Sequence, residues 1–440
     1  MMKKSTLISI FLMGIISLNF NLALSQQWKP ANFPEASTWT ICKTANGNII
    51  AAVDKYPDNN GKLYISKDNA GSWEECNVAG YNYSAYVVVE NSVYMGGLFG
   101  NIAISHDNGE TWTLSNLSEA IGENITDSYP IYAMEYHNER IYASVLYLGI
   151  AYSEDWGETW VMTDRESLLL ENPEDGGQWC YGLRAYKGKL YNLAAFGIWT
   201  YDEDSDLWNM INDAWYNSGA VVHNDILYVN HNAHGIPQAI RYTSDGENWT
   251  VMNIPDGLST SVRVLDFYGD ALFIGHVIDG VWYTLDNGET WIDFKDDFPG
   301  YSPIPELTFY DCPMGFVFAD GNIICSVFSS RGDGLGVIIA PIPDNIVVGI
   351  EKQEFDSNVK FTVYPNPTNN LITINIDLNE SANVALNITD IHGRTIFSKP
   401  VAVASGEYRE SVSVKGWAPG LYFYNLQYNN KIYTDKFIVK

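Results

Sequence analysis

The eight residues Ser105-His106-Asp107-Asn108-Gly109-Glu110-Thr111-Trp112 recur along the chain. Near-copies occupy residues 153–160 and 284–291, and looser copies occupy residues 66–73 and 243–249. A degenerate copy of the turn ends at Trp208. The six tryptophans stand at positions 73, 112, 160, 208, 249 and 291, and such a recurrence every 39 to 48 residues predicts a repeat architecture.

Each repeat has the same internal order when its tryptophan is taken as the reference. Two runs of alternating apolar residues flank a tight polar turn such as Asn224-Asp225, a third run leads into the recurring turn, and a fourth begins at the tryptophan. Seven such hairpins occur, one more than the six tryptophan-marked turns. Trp28 stands 45 residues before Trp73 and is expected to supply the missing outer strand of the last repeat.

Seven units of four strands predict an all-β fold in which residues 26–342 form a seven-bladed β-propeller. The N-terminal strand would close the last blade, so that the ring has no open seam. After a polar linker over residues 343–360, residues 361–440 lose the tryptophan period. They read as a separate, small C-terminal β-sandwich.

The first 25 residues read as a signal peptide. Lys3 and Lys4 precede an apolar stretch from Leu7 to Leu18, and Ala23 and Ser25 supply the small residues of a cleavage site. No later stretch approaches the length of a membrane span, so no integral membrane span is expected. The net charge of −28 excludes nucleic acid as a partner, because such a surface repels phosphate backbones.

Five cysteines, an odd number, fall within the propeller region. Cys42 with Cys76 and Cys312 with Cys325 are candidate disulfides, because each pair lies within one repeat, and Cys180 is left over. The alternative is that all are buried free thiols that fill core space. No Cys/His spacing is typical of a zinc site, and the sequence predicts neither a metal nor a cofactor.

The recurring turn resembles the Asp box of the BNR repeats found in sialidases, xyloglucanases, sortilin-type receptors and photosystem assembly propellers. In this resemblance the carboxylate accepts backbone N–H groups across the turn, glycine adopts a positive φ, and tryptophan packs between sheets. The resemblance implies a structural role on the face opposite the usual pocket for Asp68, Asp107, Asp155, Asp245, Asp286, Trp73, Trp112, Trp160, Trp249 and Trp291.

The C-terminal segment resembles the type A sorting domain of the type IX secretion system of Bacteroidetes. The resemblance rests on Tyr364-Pro365-Asn366-Pro367, on residues 390–394 and 419–422, and on the terminal residues 436–440. It implies that residues 361–440 are recognised by the type IX secretion machinery after the signal peptide has delivered the chain to the periplasm. The protein is then expected to be secreted or held at the outer-membrane surface.

The loops between the second and third strands open onto one end of the central channel, where a ligand is expected. Three of these loops place an aromatic residue before or near a glycine, and the other loops carry polar groups. The candidate ligand-binding residues at this channel mouth are Phe99, Tyr147, Phe196, His231, His234, His276, Asp279 and Arg331. Aromatic rings stack on sugar faces while charged groups fix their orientation. The alternatives are that the aromatic side chains plug the channel and that the histidines lie in a solvated loop.

Three classes of function remain open. A sialidase is disfavoured, because that family requires three arginines, one in an Arg-Ile-Pro motif, and no Ile-Pro here follows arginine. The two-propeller cleft of xyloglucanases is absent. The sequence favours binding of glycan or protein ligands through the channel mouth, with a polysaccharide lyase or glycoside hydrolase as the alternative and a pure scaffold as the third. The residues available as the base or the uronate-binding group of a lyase are Tyr301, His231, His234, His276, Arg184 and Arg263. Their spacing in the sequence selects no catalytic residue among them.

Overall fold

The structure is a computed structural model that describes residues 28–439 with internal gaps. The gaps are residues 54–59, 119–129, 170–178, 216, 232–238, 256–257, 259–261, 278, 295–297, 299–310, 330–333, 344, 347–358, 367, 379–381, 391–393, 404–405, 419 and 429–430. The expected signal peptide lies outside the described residues, as does most of the expected linker.

Seven antiparallel four-stranded sheets form the blades of a β-propeller. Blade 1 contains β2 (Thr38–Lys43), β3 (Ile49–Val53), β4 (Leu63–Ser66) and β5 (Glu74–Glu75); blade 2 contains β6 (Ala85–Val89), β7 (Ser92–Gly96), β8 (Asn101–Ser105) and β9 (Thr113–Asn116). Blade 3 contains β10 (Ile131–His137), β11 (Arg140–Val145), β12 (Gly149–Ser153) and β13 (Val161–Met162); blade 4 contains β14 (Cys180–Tyr186), β15 (Lys189–Ala194), β16 (Phe196–Asp202) and β17 (Leu207–Trp215). Two short 3-10 turns, Leu98–Gly100 and Glu166–Leu168, interrupt this part of the chain.

The remaining three blades continue the same order. Blade 5 contains β18 (Asn217–His223), β19 (Ile226–His231), β20 (Ala239–Thr243) and β21 (Thr250–Asn253); blade 6 contains β22 (Val262–Tyr268), β23 (Ala271–His276), β24 (Gly280–Thr284) and β25 (Ile292–Asp293). Blade 7 contains β26 (Asp311–Ala319), β27 (Asn322–Ser329), β28 (Val337–Pro341) and, as its outer strand, β1 (Lys29–Pro30). The sequence prediction of a seven-bladed all-β propeller is confirmed.

The last blade is closed by the N-terminal end of the described chain. Lys29 pairs with Ile339 and Pro30 with Ile338, in antiparallel register. The neighbouring Trp28 is fully buried, and its indole N–H donates to the carbonyl oxygen of Phe294 in blade 6 at 2.8 Å. This strand therefore ties the two ends of the ring together and covers an edge that would otherwise be open.

The recurring turns, residues 66–73, 105–112, 153–160, 243–249 and 284–291, are called repeat turns from here. In the second of them the Asp107 carboxylate accepts the Thr111 backbone N–H at 2.8 Å, the Thr111 hydroxyl at 2.6 Å and the Ser105 hydroxyl at 2.8 Å. The Ser105 oxygen in turn accepts the Gly109 N–H at 2.8 Å. Corresponding bonds form around Asp68, Asp155, Asp245 and Asp286.

Each repeat turn also packs against the blade before it. The Trp160 indole donates to Ser115 on β9 at 3.2 Å, and the Trp291 indole donates to the Asn253 carbonyl on β21 at 2.9 Å. The turn of blade 1 between β2 and β3 contacts the blade 2 repeat turn, because the Asn46 N–H donates to Asn108 Oδ1 at 3.3 Å. The repeat turns therefore lie at the end of the ring opposite the loops between the second and third strands.

The five cysteines are all buried, and none of them forms a disulfide in the described part of the chain. Cys42 lies on the innermost strand of blade 1 and Cys76 follows the outermost one, three strand spacings away, which is about 14 Å. Cys312 faces Phe328 while Cys325 faces Phe316, so these two are offset by about 10 Å along their strands. A disulfide requires Cα atoms within about 7 Å, so neither of the two candidate pairs forms.

The C-terminal segment forms two packed sheets, as expected for a small β-sandwich. One sheet orders β29 (Val359–Tyr364), β30 (Leu371–Leu378) and β33 (Gly406–Ser413); the other orders β32 (Thr395–Val403), β31 (Ala382–Asp390), β34 (Gly420–Tyr428) and β35 (Lys431–Val439). Alternate residues of β30, including Ile372, Ile374 and Ile376, face a core completed by Tyr424 and Phe437. This alternation of buried and exposed residues is typical of a sheet with one face on the core and the other in solvent.

Candidate binding site in the central channel

A cavity of about 580 Å³ runs along the centre of the propeller. The innermost strands of all seven blades line it: β2, β6, β10, β14, β18, β22 and β26. Its volume lies within the range of about 300 to 1,000 Å³ that is typical of small-molecule sites. The channel is therefore large enough to admit a ligand rather than being filled by side chains.

Bulges near the start of the innermost strands shape the end of the channel that carries the loops between second and third strands. The register shifts on β2, β10, β14, β18, β22 and β26. The bulged residues Tyr132, Tyr181, Arg263 and Met314 all line the cavity. Because a bulge re-aims its side chain and is enriched beside binding sites, this ring is a built feature of the channel.

Two tyrosines and one arginine dominate this bulge ring. The Tyr132 and Tyr181 rings meet edge to face, with centroids 5.4 Å apart, and both are half-buried. Arg263 on β22 is exposed and close enough to Tyr132 to lower the pKa of that phenol, against the larger, raising effect of burial. Among the described residues, no hydrogen bond or ion pair to the Arg263 guanidinium is recorded.

Deeper in the channel, one arginine acts on two carboxylates. Arg184 on β14 forms an ion pair with Glu135 on β10, with 3.2 Å between Nη1 and Oε2. Its Nη2 donates to the Ala220 carbonyl oxygen on β18 at 2.8 Å, while its buried Nε has no hydrogen-bond partner among the described residues. Asp266 on β22 is the second carboxylate, and its Oδ1 accepts the Phe267 N–H at 2.7 Å.

Burial controls the protonation of this cluster. Desolvation raises the pKa of Asp266 to about 6, although the Phe267 N–H and the Arg184 and His223 charges act in the opposite direction. Desolvation likewise raises the pKa of Glu135, and Arg184 only partly offsets it. Tyr86 on β6 also lines the channel and is 41% exposed. Desolvation by the surrounding blades raises the pKa of its phenol. A carboxyl group with a pKa near 6 exchanges protons close to neutral pH.

Phe99 and Tyr147 lie in the loops between the second and third strands of their blades, and Phe196 is the first residue of β16. Phe99 and Tyr147 have left-handed backbone, with φ of 57° and 67°. The Trp179 ring joins Tyr147 at 4.6 Å and Phe196 at 5.8 Å, both edge to face, and Phe99 lies 6.5 Å from Tyr81. None of the three predicted aromatic residues lines the described cavity, and the loops that carry them, between the second and third strands, are called the rim from here.

The predicted polar residues are more dispersed. The His276 ring is fully buried, and its Nδ1 lies 3.2 Å from the Asp279 carboxylate and accepts the Asp279 N–H at 3.2 Å. His231 ends β19. His234, Arg331 and the lyase candidate Tyr301 lie outside the described residues. The structure therefore brings His276 and Asp279 together, and leaves the other polar candidates without a described contact.

Sequence reasoning missed the innermost-strand residues that line the channel. Arg184 and Arg263 were available arginines without a selected role, and Glu135, Asp266, Tyr132 and Tyr181 were not singled out. One signal could have found the bulge ring: a large residue followed by a smaller one occurs at Trp39-Thr40, Tyr132-Ala133, Tyr181-Gly182, Arg263-Val264 and Met314-Gly315. Within the described part of the chain, no helix is long and apolar enough to cross a membrane.

Comparison with solved structures places the chain among β-propellers. YCF48 from Cyanidioschyzon merolae matches 73% of this chain and 100% of its own at 13% identity, with a TM-score of 0.53. The extracellular domain of the one component system BT4673 from B. thetaiotaomicron covers 94% of this chain and 59% of its own at 9% identity and a TM-score of 0.52. The GH74 xyloglucanase from Xanthomonas campestris covers 93% and 67% at 11% identity and a TM-score of 0.50. At these identities the likeness shows the fold alone.

Comparison with curated proteins finds no match. Residues 362–440 match the secretion system C-terminal sorting domain, which confirms that part of the sequence prediction. The same residues form the sandwich that follows the propeller. The chain therefore ends in a sorting domain of the type IX secretion system, and the protein is exported to the cell surface or beyond it.

Proposed function

We propose that this exported propeller binds a glycan or surface-protein ligand at the channel mouth. The observation that carries the proposal is the concentration of aromatic side chains at one end of an unfilled channel. Trp179 contacts both Tyr147 and Phe196 on the rim, and Tyr132 and Tyr181 line the channel wall. Rings that are half-buried present both an apolar face and a polar edge, which suits sugars and peptide side chains.

The backbone of the rim supports a binding role. Phe99 and Tyr147 adopt left-handed conformations that cost non-glycine residues about 1 kcal/mol each. Neither ring is buried in return, since both remain half-exposed. Strain without burial is typical of residues that a loop holds out for contact with a ligand.

The propeller is further proposed to be of the Asp-box type. Its five repeat turns share one hydrogen-bond pattern, with the Asp carboxylate accepting the hydroxyl two residues earlier and a backbone N–H further on. These turns contact the neighbouring blade rather than the channel, as for Gly157 against Ile104. The proposal therefore assigns the repeat-turn residues to the scaffold and leaves ligand contact to the opposite end.

A structural neighbour supports the protein-ligand arm of the proposal, as YCF48 has been solved bound to D1 peptide. The test is retention of the purified chain on a panel of immobilised polysaccharides and peptides. Trp179→Ala is expected to reduce retention about tenfold or more, because stacking on an aromatic ring contributes about 1 to 3 kcal/mol. Trp156→Ala is the matched control, since Trp156 is 46% exposed in a repeat turn at the other end. Equal retention of both variants and the wild type would contradict ligand binding at the channel mouth.

A carbohydrate-active enzyme remains the second candidate, favoured by the carboxyl groups in the channel. Asp266, with a pKa of about 6, is suited to act as a general acid, and Glu135, ion-paired to Arg184, provides a second carboxyl group on the channel wall. The same panel distinguishes the two functions when new reducing ends and the ultraviolet absorbance of unsaturated uronates are followed. Products that disappear in Asp266→Asn would establish the enzyme; retention without products would leave a binding protein.

A further inference from the structure

The channel has a charge balance opposite to that of the whole protein. The chain contains 53 acidic and 25 basic residues, a net charge of −28. The described residues that line the channel include three basic groups, Lys43, Arg184 and Arg263, and two acidic groups, Glu135 and Asp266. Both acidic groups have raised pKa values, so the channel carries a positive charge near pH 6 and below. A positive cavity in an acidic protein focuses its field on a small anion.

Arg263 is the basic group best placed to meet a ligand. It is exposed on the bulge of β22, at the end of the channel where the mouth opens, and its guanidinium has no recorded partner among the described residues. Arg184 by contrast is ion-paired to Glu135, and Lys43 at the opposite end donates to the Phe318 carbonyl oxygen at 3.1 Å. A free guanidinium offers a planar fork of donors that fits a carboxylate.

The surroundings of Arg263 favour a sugar as the carrier of that carboxylate. Tyr132 and Tyr181, with ring centroids 5.4 Å apart, provide edge-to-face walls beside it, and Tyr86 lines the channel further in. Phenol rings pack on the flat face of a pyranose and offer hydroxyls to its oxygen atoms. Glu135 and Asp266 provide further groups that exchange hydrogen bonds with hydroxyls deeper in the channel.

We propose that the channel binds a sugar residue that carries a carboxylate, with that carboxylate on Arg263 and the sugar ring packed against the Tyr132 and Tyr181 pair. The assignment rests on the proposed function and narrows its ligand to acidic sugars. Only a short acidic segment fits, because the cavity holds about 580 Å³ and the outer surface of the protein repels a long polyanion. A terminal or isolated uronic acid residue meets both conditions.

The test compares a galacturonic acid disaccharide with its methyl ester, which keeps the ring and removes the charge. Titration calorimetry on the full exported chain is expected to show the acid binding about tenfold or more tightly than the ester, as for a charge-assisted hydrogen-bonded pair. Arg263→Gln should bring the acid to the affinity of the ester, and Arg263→Lys should fall between. Arg140→Gln, which removes an arginine paired with Glu154 near a repeat turn, is the control and should leave affinity unchanged.

The outcomes separate this inference from the proposed function. Equal affinity for acid and ester, or full affinity in Arg263→Gln, overturns the inference, while retention of other glycans in the panel would keep the proposed function. Binding of a short peptide through its free C-terminal carboxylate, lost on amidation, would show the wrong class of carrier and also overturn it. Absence of any retained ligand would overturn both. If Arg263→Gln unfolds, the acid and ester comparison on the wild type decides alone.

Discussion

Arg184 links three consecutive blades through its guanidinium: it pairs with Glu135 of blade 3 at 3.2 Å while its own strand belongs to blade 4 and its Nη2 donates to blade 5. The ion pair sits on the channel wall, where Glu135 is mostly buried and Arg184 is 39% exposed. An interaction that crosses two blade boundaries holds the innermost strands in mutual register. The same side chain therefore contributes both to the ring and to the charge of the channel.

Removing one member of this pair should destabilise the protein more than removing both. Arg184→Met leaves the Glu135 carboxyl group buried without its cation, which is expected to cost about 1 to 3 kcal/mol after allowance for the exposure of Arg184. Arg184→Met with Glu135→Leu should recover much of that loss, because neither group then remains unpaired. Urea denaturation of the two single variants and the double variant measures the coupling. Additive losses would show that the pair is not coupled.

The pH dependence of stability should carry the signature of Asp266. Its pKa in the folded protein, about 6, lies above the ordinary value of 3.8, so the folded state binds the extra proton between those values. Stability from this group is therefore greatest below about pH 4 and is lost as the pH rises through 6. Arg184, His223 and Tyr86 are the charged or titratable groups that act on it from the neighbouring strands.

Asp266→Asn tests this sign directly. The variant should be more stable than the wild type at pH 8, by about 1 to 2 kcal/mol given the access of water to the channel, and the difference should vanish near pH 4. Subtracting the two pH profiles removes the contributions of the titratable groups that both proteins share. A variant that is less stable at pH 8 would mean that the charged carboxylate is needed where it lies. The same protonation makes the channel more positive, so acidic sugars should bind more tightly at pH 5 than at pH 8.

The sequence predicted the ring more completely than the site, for a physical reason. Trp73 and its counterparts mark a local turn whose Asp-centred hydrogen bonds lie within eight residues, and local chemistry is visible in a linear pattern. The rim residues Phe99 and Tyr147 were also visible, because each precedes or follows a loop glycine. Glu135, Arg184 and Asp266 instead lie on strands of three different blades, and only closure of the ring brings them together.

Two further differences have equally local causes. The sequence does not mark β33 (Gly406–Ser413) as a strand, because polar Arg409 and Glu410 stand at its centre and Tyr408 and Val412 are its only apolar residues. The two candidate disulfides were inferred from membership of one repeat, yet a blade is about 14 Å from its first to its fourth strand. Sequence proximity within a repeat therefore does not bring two cysteines within bonding distance.

The five cysteine thiols should be unreactive towards alkylating reagents in the folded protein. Burial raises the pKa of Cys42, Cys76 and Cys180 to about 12, so the reactive thiolate is scarce as well as shielded. A water-soluble maleimide is expected to label none of the five in the native chain and all five in denaturant. Lys189→Cys, at the exposed first position of β15, is the control and should react at once. Three or fewer labelled sites in denaturant without reductant would reveal a disulfide within the chain.

A side chain at Gly157 in the blade 3 repeat turn should lower the stability of the protein for two separable reasons. Its φ is +93°, and a Cβ there would lie 2.6 Å from the Cδ1 atom of Ile104 in blade 2. Gly47 has the same φ of +93° and open space around it. Gly47→Ala therefore measures the backbone cost alone, about 1 kcal/mol, while Gly157→Ala should lose a further 1 kcal/mol or so from the contact between blades.

Shortening the neighbour provides the decisive comparison. Ile104→Val removes the Cδ1 atom that the new Cβ would meet, so it should recover part of the loss in Gly157→Ala while it destabilises the wild type by about 1 kcal/mol. Urea denaturation midpoints of the four proteins in this cycle measure the coupling. A Gly157→Ala loss equal to that of Gly47→Ala, unchanged by Ile104→Val, would mean that the repeat turn acts within its own blade. Coupling of the expected sign would show that each turn holds its blade against the preceding one, and so keeps the channel open at a fixed width.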